Sequence, residues 1–375
     1  MLTRRERLMR TLNGQAVDRP PVNFYEINGL EDTLDPNDPL NIYTDPSWKP
    51  LIELAREKTD RIVMCSVGFV DPPVETYESE TVQYWEGDSL FTVQTIRAGK
   101  RVLTSRTRRD KDVNTVWTLE HLLKDADDLD AYCDLPLPQG GRMPDPGPVL
   151  ALEAALGESG IVMIDTADPL CLAAGLFEMG QFTVMAMTEK ERFHRLLDRF
   201  AEILYPRTEA IAQALPGRLW RIYGPEYASE PYLPPRLFHE YVVAYDRPMV
   251  EAIQRYGGYA RLHSHGRLKN ILDHIVATGC RGLDPIEPPP QGDVSLAYVR
   301  EHYGDRLTLF GNLEASDIEN LPPEQFEGRV VTAIAEGWGN PRGFVLQPSA
   351  CPYGRKLSPR ALKNYEKIIE VVERG

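Results

Sequence analysis

The stretch Tyr259-Ala260-Arg261-Leu262-His263 is a short, largely apolar run of the kind that forms a buried strand. A helical segment at 235–256, stopped by Gly257-Gly258, precedes it, and a second helical segment at 266–277 follows it. Parallel strands need crossover connections, so a strand between two helices is typical of a parallel sheet. This stretch therefore predicts an α/β fold.

Strand-like runs and helical segments alternate along most of the chain. Besides residues 259–263, the runs lie at 19–25, 61–65, 161–165, 219–223, 282–286, 307–310 and 343–346. Eight such units predict closure into a single (β/α)₈ TIM barrel, with residues 1–375 as one domain. A doubly wound open sheet is the alternative, although no glycine-rich phosphate-binding loop follows the first run.

One region, at about residues 76–117, departs from this alternation. It carries β-rich runs at 81–85, 90–96 and 101–104, separated by the turn-like sequences Glu86-Gly87-Asp88 and Ala98-Gly99-Lys100. Short strands joined by tight turns predict an antiparallel meander. We expect this insertion between the second and third barrel strands, overhanging one mouth of the barrel.

Charge and cysteine content narrow the class of protein. The formal net charge of −14 disfavours binding to nucleic acids or to anionic membrane surfaces. The five cysteines are widely spaced and odd in number, which favours free thiols in a reducing compartment. No apolar run approaches the length of a membrane span. We therefore expect a cytoplasmic protein, whose oligomeric state the sequence leaves open.

Polar side chains end nearly every predicted barrel strand. In barrel enzymes the reacting groups lie at the carboxyl ends of the strands. The side chains at these positions are Glu26, Cys65, Asp165, Tyr223, Glu226, His263, His265, Glu287, Asn312, Glu314 and Cys351. A purely structural barrel would not require this set, so the sequence predicts an active site at this end.

The sequence His263-Ser264-His265 is the sharpest candidate for chemistry. Residues i and i+2 of an extended chain point to the same face, so the two imidazoles can share a metal ion such as zinc. Closure of the barrel would bring Cys351, beyond the eighth strand, to the same mouth. Three protein ligands and one open position are typical of catalytic zinc. Alternatively, the histidines bind substrate through hydrogen bonds and Cys351 is a buried apolar residue.

Four acidic or phenolic side chains are the candidates for catalysis. Glu287, in a proline-rich loop, is a fourth metal ligand, a general base or a partner that orients a histidine. Glu226 offers the same choices, and a solvated loop glutamate is the alternative for both. Asp165 and Tyr223 are further catalytic candidates and, with Glu226, the ones that a metal-free decarboxylation would use. We assign Asn312 and Glu314 to cofactor binding.

Several of these motifs resemble the uroporphyrinogen decarboxylase superfamily. They are Arg4-Arg5-Glu6-Arg7, Asp18-Arg19-Pro20-Pro21, His263-Ser264-His265-Gly266, Gly311-Asn312-Leu313-Glu314 and Asn364-Tyr365. The resemblance covers essentially the whole chain and implies a (β/α)₈ barrel. The superfamily contains decarboxylases of the haem pathway and zinc-dependent methyltransferases that work with corrinoids.

The resemblance favours the methyltransferase branch. Decarboxylases bind a substrate with many carboxylates and carry arginines after the first strand, whereas here no basic residue lies between Val22 and Lys49. The methyltransferases carry a His-x-Cys pair and a later Cys, which match His263, His265 and Cys351, with His265 departing from the pattern. We expect methyl transfer between a small thiol or ether and a corrinoid on a separate protein. Uroporphyrinogen-type decarboxylation and a non-catalytic binding barrel are the alternatives.

Overall fold

The computed structural model describes residues 2–338 and 343–374. Within these residues, seven strands form one parallel sheet and four form a separate antiparallel sheet. In chain order the strands are β1 (Arg61–Cys65), β2 (Ser79–Glu86), β3 (Ser89–Ala98), β4 (Arg101–Asp110), β5 (Val116–Glu120), β6 (Gly160–Ala167), β7 (Leu219–Tyr223), β8 (Tyr259–Ser264), β9 (Gly282–Pro285), β10 (Thr308–Leu313) and β11 (Phe344–Pro348). The parallel sheet has the order β1-β6-β7-β8-β9-β10-β11, so neighbouring strands also follow one another along the chain.

Helices connect the parallel strands, as crossover connections require. In chain order they are α1 (Arg4–Leu12), α2 (Lys49–Lys58), α3 (Ala126–Cys133), α4 (Gly147–Leu156), α5 (Pro169–Ala174), α6 (Met179–Thr188), α7 (Lys190–Ala214), α8 (Pro235–Phe238), α9 (Ala244–Arg255), α10 (Leu272–Ala277), α11 (Leu296–Tyr303), α12 (Ala315–Asn320), α13 (Pro323–Gly337) and α14 (Pro359–Arg374). A π-helical turn, His239–Val243, joins α8 to α9. Thr3 and Glu6 form a capping box that starts α1, and the Ser358 hydroxyl accepts from the Ala361 N–H at the start of α14.

The predicted strand at 19–25 is replaced by an isolated bridge. Val22 forms one parallel bridge with Leu346 of β11, and its carbonyl accepts a 2.6 Å hydrogen bond from the N–H of Asp60, next to β1. Pro20 and Pro21 have no N–H to donate, and the Val22 N–H bonds the Asp60 carboxylate at 2.9 Å. A regular ladder therefore does not form, and the prediction of eight strands is wrong at this position. The segment nevertheless lies between β11 and β1.

The insertion is the predicted antiparallel sheet, with one strand more than the sequence indicated. Its order is β2-β3-β4-β5, and β5 begins near the end of the predicted region. The turn before β5 reaches the loop after β11: Val113 bridges Gly354, and the Asn114 N–H donates to the Tyr353 carbonyl at 2.7 Å. The insertion therefore contacts the loop that carries Cys351.

Apolar side chains of the parallel strands and of the helices around them form the core. All five residues of β11 are buried, as are large side chains such as Trp48 and Trp220. Strands buried on both faces are typical of parallel sheets covered by helices, and this is why they occur in the sequence as continuous apolar runs. None of the helices in the described residues is long and apolar enough to cross a membrane.

Candidate active site

A cavity of about 340 Å³ lies at the carboxyl ends of β7, β8 and β11. Its walls come from strand ends, from the loop after β11 and from the turn before β5. The lining residues are Tyr25, Glu26, Asn114, Arg221, Tyr223, Glu226, His263, His265, Ser349, Ala350, Cys351 and Tyr353. The structure thus brings together the three predicted metal ligands and two of the predicted catalytic residues, Tyr223 and Glu226.

His263 is held by a buried charge network. Its Nδ1 lies 2.8 Å from Oδ2 of Asp284, and Oδ1 of Asp284 lies 2.9 Å from Nε of Arg261. Burial opposes ionisation of Asp284, but Arg261 and His263 outweigh it and lower the pKa of this carboxyl. An ionised carboxylate only accepts hydrogen bonds, so Nδ1 of His263 carries the hydrogen. In a neutral ring the lone pair is then on Nε2.

His265 has the same arrangement with a different carboxylate. Its Nδ1 lies 2.9 Å from Oε1 of Glu287, and the Gly266 N–H donates to Oε2 of Glu287 at 2.6 Å. Burial lowers the pKa of His265, but the hydrogen bond to Glu287 outweighs it and the net shift is upward. Burial also acts to raise the pKa of Glu287, but the hydrogen bond and charge of His265 outweigh it. The net shift of the Glu287 pKa is downward. The ring centroids of His263 and His265 are 4.6 Å apart and the rings are nearly perpendicular.

Cys351 contacts a carboxylate that the sequence did not single out as its partner. The Cys351 thiol donates to Oε2 of Glu26 over 3.0 Å between sulfur and oxygen. Burial and the nearby Glu26 charge raise the pKa of Cys351 well above its ordinary value. The thiol therefore keeps its hydrogen in the protein as described, and Glu26 is the group placed to receive it.

The side chains that line the cavity are of the types that bind zinc, although in the described part of the chain they are not grouped into a metal-binding cluster. In residues 2–338 and 343–374, no three His, Cys, Asp or Glu side chains are already grouped to hold a metal ion. However, the cavity offers two imidazoles and a thiol, the donors that zinc prefers. Each imidazole also has a carboxylate oxygen within hydrogen-bond distance of its Nδ1. Histidines that bind a metal through Nε2 characteristically make such a contact.

Arg221 is the cationic side chain among the groups that line the cavity. Its Nε and NH2 donate to Asp165 at 2.6 and 3.0 Å, and NH1 donates to the Tyr25 hydroxyl. That hydroxyl lies 3.4 Å from Nε2 of His263. Burial raises the pKa of Tyr25, so its hydroxyl retains its hydrogen. Asp165, predicted as catalytic, thus pairs with Arg221 and is not itself among the lining residues.

Backbone conformation also marks this region. Tyr25 has a φ of 58°, which is unfavourable for a large side chain, and such residues concentrate at functional sites. Gly224 has a φ of 122° and begins the turn that presents Glu226. Oε2 of Glu226 is buried without a hydrogen-bond partner in the described part of the chain. Its carboxylate is therefore available to a ligand.

Asp165, Glu287 and three further candidates from the sequence are not among the lining residues of this cavity. Asn312 and Glu314 line a different pocket, next to Pro288, and Glu314 accepts a 3.3 Å hydrogen bond from the Ser349 hydroxyl. Cys65 ends β1 as predicted and is half-buried, but it is not among the lining residues of the cavity.

The sequence did not identify several residues that line the cavity or lie behind His263. Arg221 and Arg261 were detectable, because a charged residue inside an apolar strand run must find a buried partner. Asp284, inside the run at 282–286, could have been detected in the same way. Asn114 carried no signal, because it reaches the cavity only through the contact between the insertion and the loop after β11.

Comparisons with known proteins extend these observations. The sequence profile of the family described as Uroporphyrinogen decarboxylase (URO-D) matches residues 149–364. A methyltransferase from Methanosarcina mazei is similar in structure, with a TM-score of 0.62, 17% identity and coverage of 100% of this chain and 99% of that one. At that identity the likeness concerns the fold.

A second solved structure is less similar. It is a B12-independent methionine synthase from Shewanella sp. W3-18-1 in complex with selenomethionine, with a TM-score of 0.40 and 11% identity. The match covers 57% of this chain and 62% of that one, which is too weak to support an argument. No curated protein matches the sequence.

Proposed function

The chain belongs to the uroporphyrinogen decarboxylase family, and from this premise we propose that it is a zinc-dependent methyltransferase. It would move a methyl group between a small thiol or ether and a corrinoid carried by a separate protein. The observation that supports this most strongly is the pair of histidines at one cavity, each with its Nδ1 on a buried carboxylate and with Cys351 in the same wall.

Nε2 of His263, Nε2 of His265 and Sγ of Cys351 would hold the zinc ion. Asp284 and Glu287 fix the two rings so that Nε2 carries the lone pair. Glu26 accepts the thiol hydrogen of Cys351 and is placed to take that proton when the thiolate forms. Zinc would supply a Lewis acid that favours the thiolate or alkoxide form of the substrate heteroatom.

The remaining candidates divide into two roles. Tyr223 and Glu226 line the cavity, where they would face the reacting heteroatom and its methyl group. Asp165 would act through Arg221, and Glu287 through His265, so both are positioning residues. We assign no catalytic role to Asn312 or Glu314; a role in binding the corrinoid partner stays a proposal for them.

Two further parts of the proposal concern the setting of the reaction. We propose that the Val22 segment, which lies between β11 and β1, completes a closed eight-membered barrel. We also propose that the protein acts in the cytoplasm, where the thiol of Cys351 would stay reduced.

Decarboxylation of a tetrapyrrole is the second candidate, and Arg221 is the observation in its favour. A guanidinium in the cavity is a natural partner for a substrate carboxylate. Asp165 already takes two of its donors, however, and Glu26 and Glu226 add negative charge to the cavity walls. A substrate with several carboxylates would therefore meet repulsion. Turnover of uroporphyrinogen to coproporphyrinogen by the purified protein would establish this second function instead.

Metal analysis tests the first candidate. We expect one zinc ion per chain in the purified protein, and its loss in His263→Ala and in Cys351→Ala. Cys133→Ala, on α3, is the matched control and should keep its zinc. The zinc-loaded protein should also demethylate methylcobalamin with 2-mercaptoethanol as acceptor. A protein that binds no zinc on reconstitution, or binds it equally in all three variants, would disprove the proposal.

A further inference from the structure

A second cavity shares a wall with the active-site cavity. It measures about 480 Å³ and lies between α12, the loop after β11 and α14. Ala350, Cys351 and Tyr353 line both cavities. Cys351 therefore stands between two spaces, and the larger of them has no role in the site described so far. A cavity of this size is in the range of small-molecule pockets.

Two opposite charges line this second cavity. Lys356 is exposed, and none of the ion pairs among the described residues involves it. Glu319, on α12, lines the same space and accepts a 3.0 Å hydrogen bond from the Ser358 hydroxyl, which leaves its carboxylate capacity for further donors. One ammonium and one carboxylate in a small pocket complement a ligand that carries both charges.

A hydroxyl without a hydrogen-bond partner among the described residues also lines the pocket. Tyr365 is 0% exposed and lines the cavity, and its hydroxyl has no hydrogen-bond partner within residues 2–338 and 343–374. Burying a hydroxyl without a hydrogen-bond partner is unfavourable, so a ligand atom that accepts its hydrogen would be favoured. Tyr365 and Cys351 line this same cavity.

From these three observations we infer that the second cavity is the substrate subsite, and that the substrate is a small zwitterion with a methylated sulfur or oxygen, or the corresponding thiol. Its ammonium and carboxylate would meet Glu319 and Lys356. Its heteroatom would lie at the inner end, beside Cys351, and accept the hydrogen of the Tyr365 hydroxyl. The position of the heteroatom rests on the function proposed above; the binding of the zwitterion does not.

Three matched probes separate the charges. S-methyl-L-cysteine carries both charges, 3-(methylthio)propanoate lacks the ammonium, and 2-(methylthio)ethylamine lacks the carboxylate. Calorimetric titration of chelator-treated protein gives their affinities without zinc. We expect S-methyl-L-cysteine to bind at least about fivefold more tightly than either singly charged probe, which is the size of one partly exposed charge contact.

Substitutions then assign each charge to its partner. Lys356→Met should lower the affinity for S-methyl-L-cysteine and for 3-(methylthio)propanoate about fivefold. It should leave the affinity for 2-(methylthio)ethylamine unchanged. Glu319→Gln should lower the affinity for S-methyl-L-cysteine and for 2-(methylthio)ethylamine and leave the affinity for 3-(methylthio)propanoate unchanged. Tyr365→Phe should weaken all three about threefold, because each carries the thioether. Lys363→Met, on α14 but outside the cavity, is the control and should change nothing.

The outcomes distinguish this inference from the proposed function. Equal affinity of the wild-type protein for the three probes, or no binding, would overturn the zwitterion subsite even if zinc and methyl transfer were established. The expected pattern of affinities in a protein that never binds zinc would support the subsite and leave the methyltransferase proposal disproved.

Discussion

Oε1 of Glu287 lies 2.9 Å from Nδ1 of His265, while Oε2 of the same carboxylate accepts the N–H of Gly266 at 2.6 Å. One carboxylate thus holds both the ring and the backbone next to it. This contact joins the loop after β9 to the end of β8 and fixes which face His265 turns to the cavity.

Glu287→Gln should lower zinc affinity about tenfold to a hundredfold, the usual effect of removing the carboxylate behind a metal-binding histidine. The amide keeps the size of the side chain but removes the charge that orients and polarises the ring. Competition with a chromogenic chelator measures the affinity. Glu301→Gln, an exposed change on α11, is the control. Equal affinities in the two variants would show that the contact does not serve a metal.

Asp284→Asn should lower the free energy of unfolding by about 3 kcal/mol, because it leaves a buried guanidinium without its counter-charge. Arg261 is 1% exposed and Asp284 is 0% exposed, so water cannot compensate. Urea unfolding of the single variants and of Arg261→Met/Asp284→Asn tests this. We expect the double variant to be clearly more stable than the sum of the single effects predicts. Strict additivity would contradict the pairing.

Gly224→Ala should destabilise the protein by about 1–3 kcal/mol and reduce ligand binding in the cavity. A Cβ at Gly224 would overlap Cys171 and the carboxylate of Asp168, and the φ of 122° is unfavourable for any residue with a side chain. The shift of the turn would also move Glu226. Thermal unfolding is the measurement.

Gly328→Ala should change the stability in the opposite direction to Gly224→Ala, and the same thermal unfolding measurement compares the two. Gly328 lies within α13, and a Cβ there meets nothing within 4 Å. Alanine in a helix should stabilise by up to about 1 kcal/mol, chiefly by restricting the unfolded chain. Equal effects of the two substitutions would show that the Gly224 turn is not constrained as described.

The ion pair between Arg7 and Asp18 should contribute to stability above about pH 4 and lose that contribution as the pH falls. The hydrogen bond from Arg7 lowers the pKa of Asp18 from its ordinary 3.8 to about 2. A carboxyl whose pKa is lowered in the folded state stabilises the folded protein at any pH at which it is ionised in both the folded and the unfolded state. Protonation removes this stabilisation between the ordinary pKa and the lowered one.

Asp18→Asn measures the size of this effect. The Asp18 side chain is 34% exposed, so after allowance for solvent screening we expect a loss of about 1 kcal/mol at pH 7. The difference from the wild-type protein should shrink below pH 4 and vanish only below about pH 2. A difference that is the same at pH 7 and pH 2.5 would contradict the assignment to this ion pair.

The sequence predicted the strands most reliably where local pattern and tertiary environment agree. β1 and β7 have the predicted bounds, because short apolar runs between helices remain buried in any parallel sheet. The Val22 run failed as a strand, since whether its N–H and C=O groups form a ladder depends on Asp60 and on β11, both distant in sequence. β5 was missed because its exposed residues show no buried alternation.

For the site, the sequence by itself determined which chemical groups are present and that they end strands. The spacing of His263 and His265 predicts that both lie on one face of an extended chain, and this prediction needs no tertiary contact. The family motifs and the acidic composition can likewise be read from the sequence alone, because neither depends on how the chain folds. The α/β character followed from the alternation of runs and helices alone.

Only the tertiary structure decided which of these groups act together. Asp284 behind His263, Glu26 on Cys351 and Asp165 on Arg221 are contacts between residues far apart in sequence. No pattern along the chain specifies such contacts, because they depend on how neighbouring strands are aligned and on where the chain curls back. The same holds for the second cavity, which exists because α12, α14 and the loop after β11 meet around Cys351.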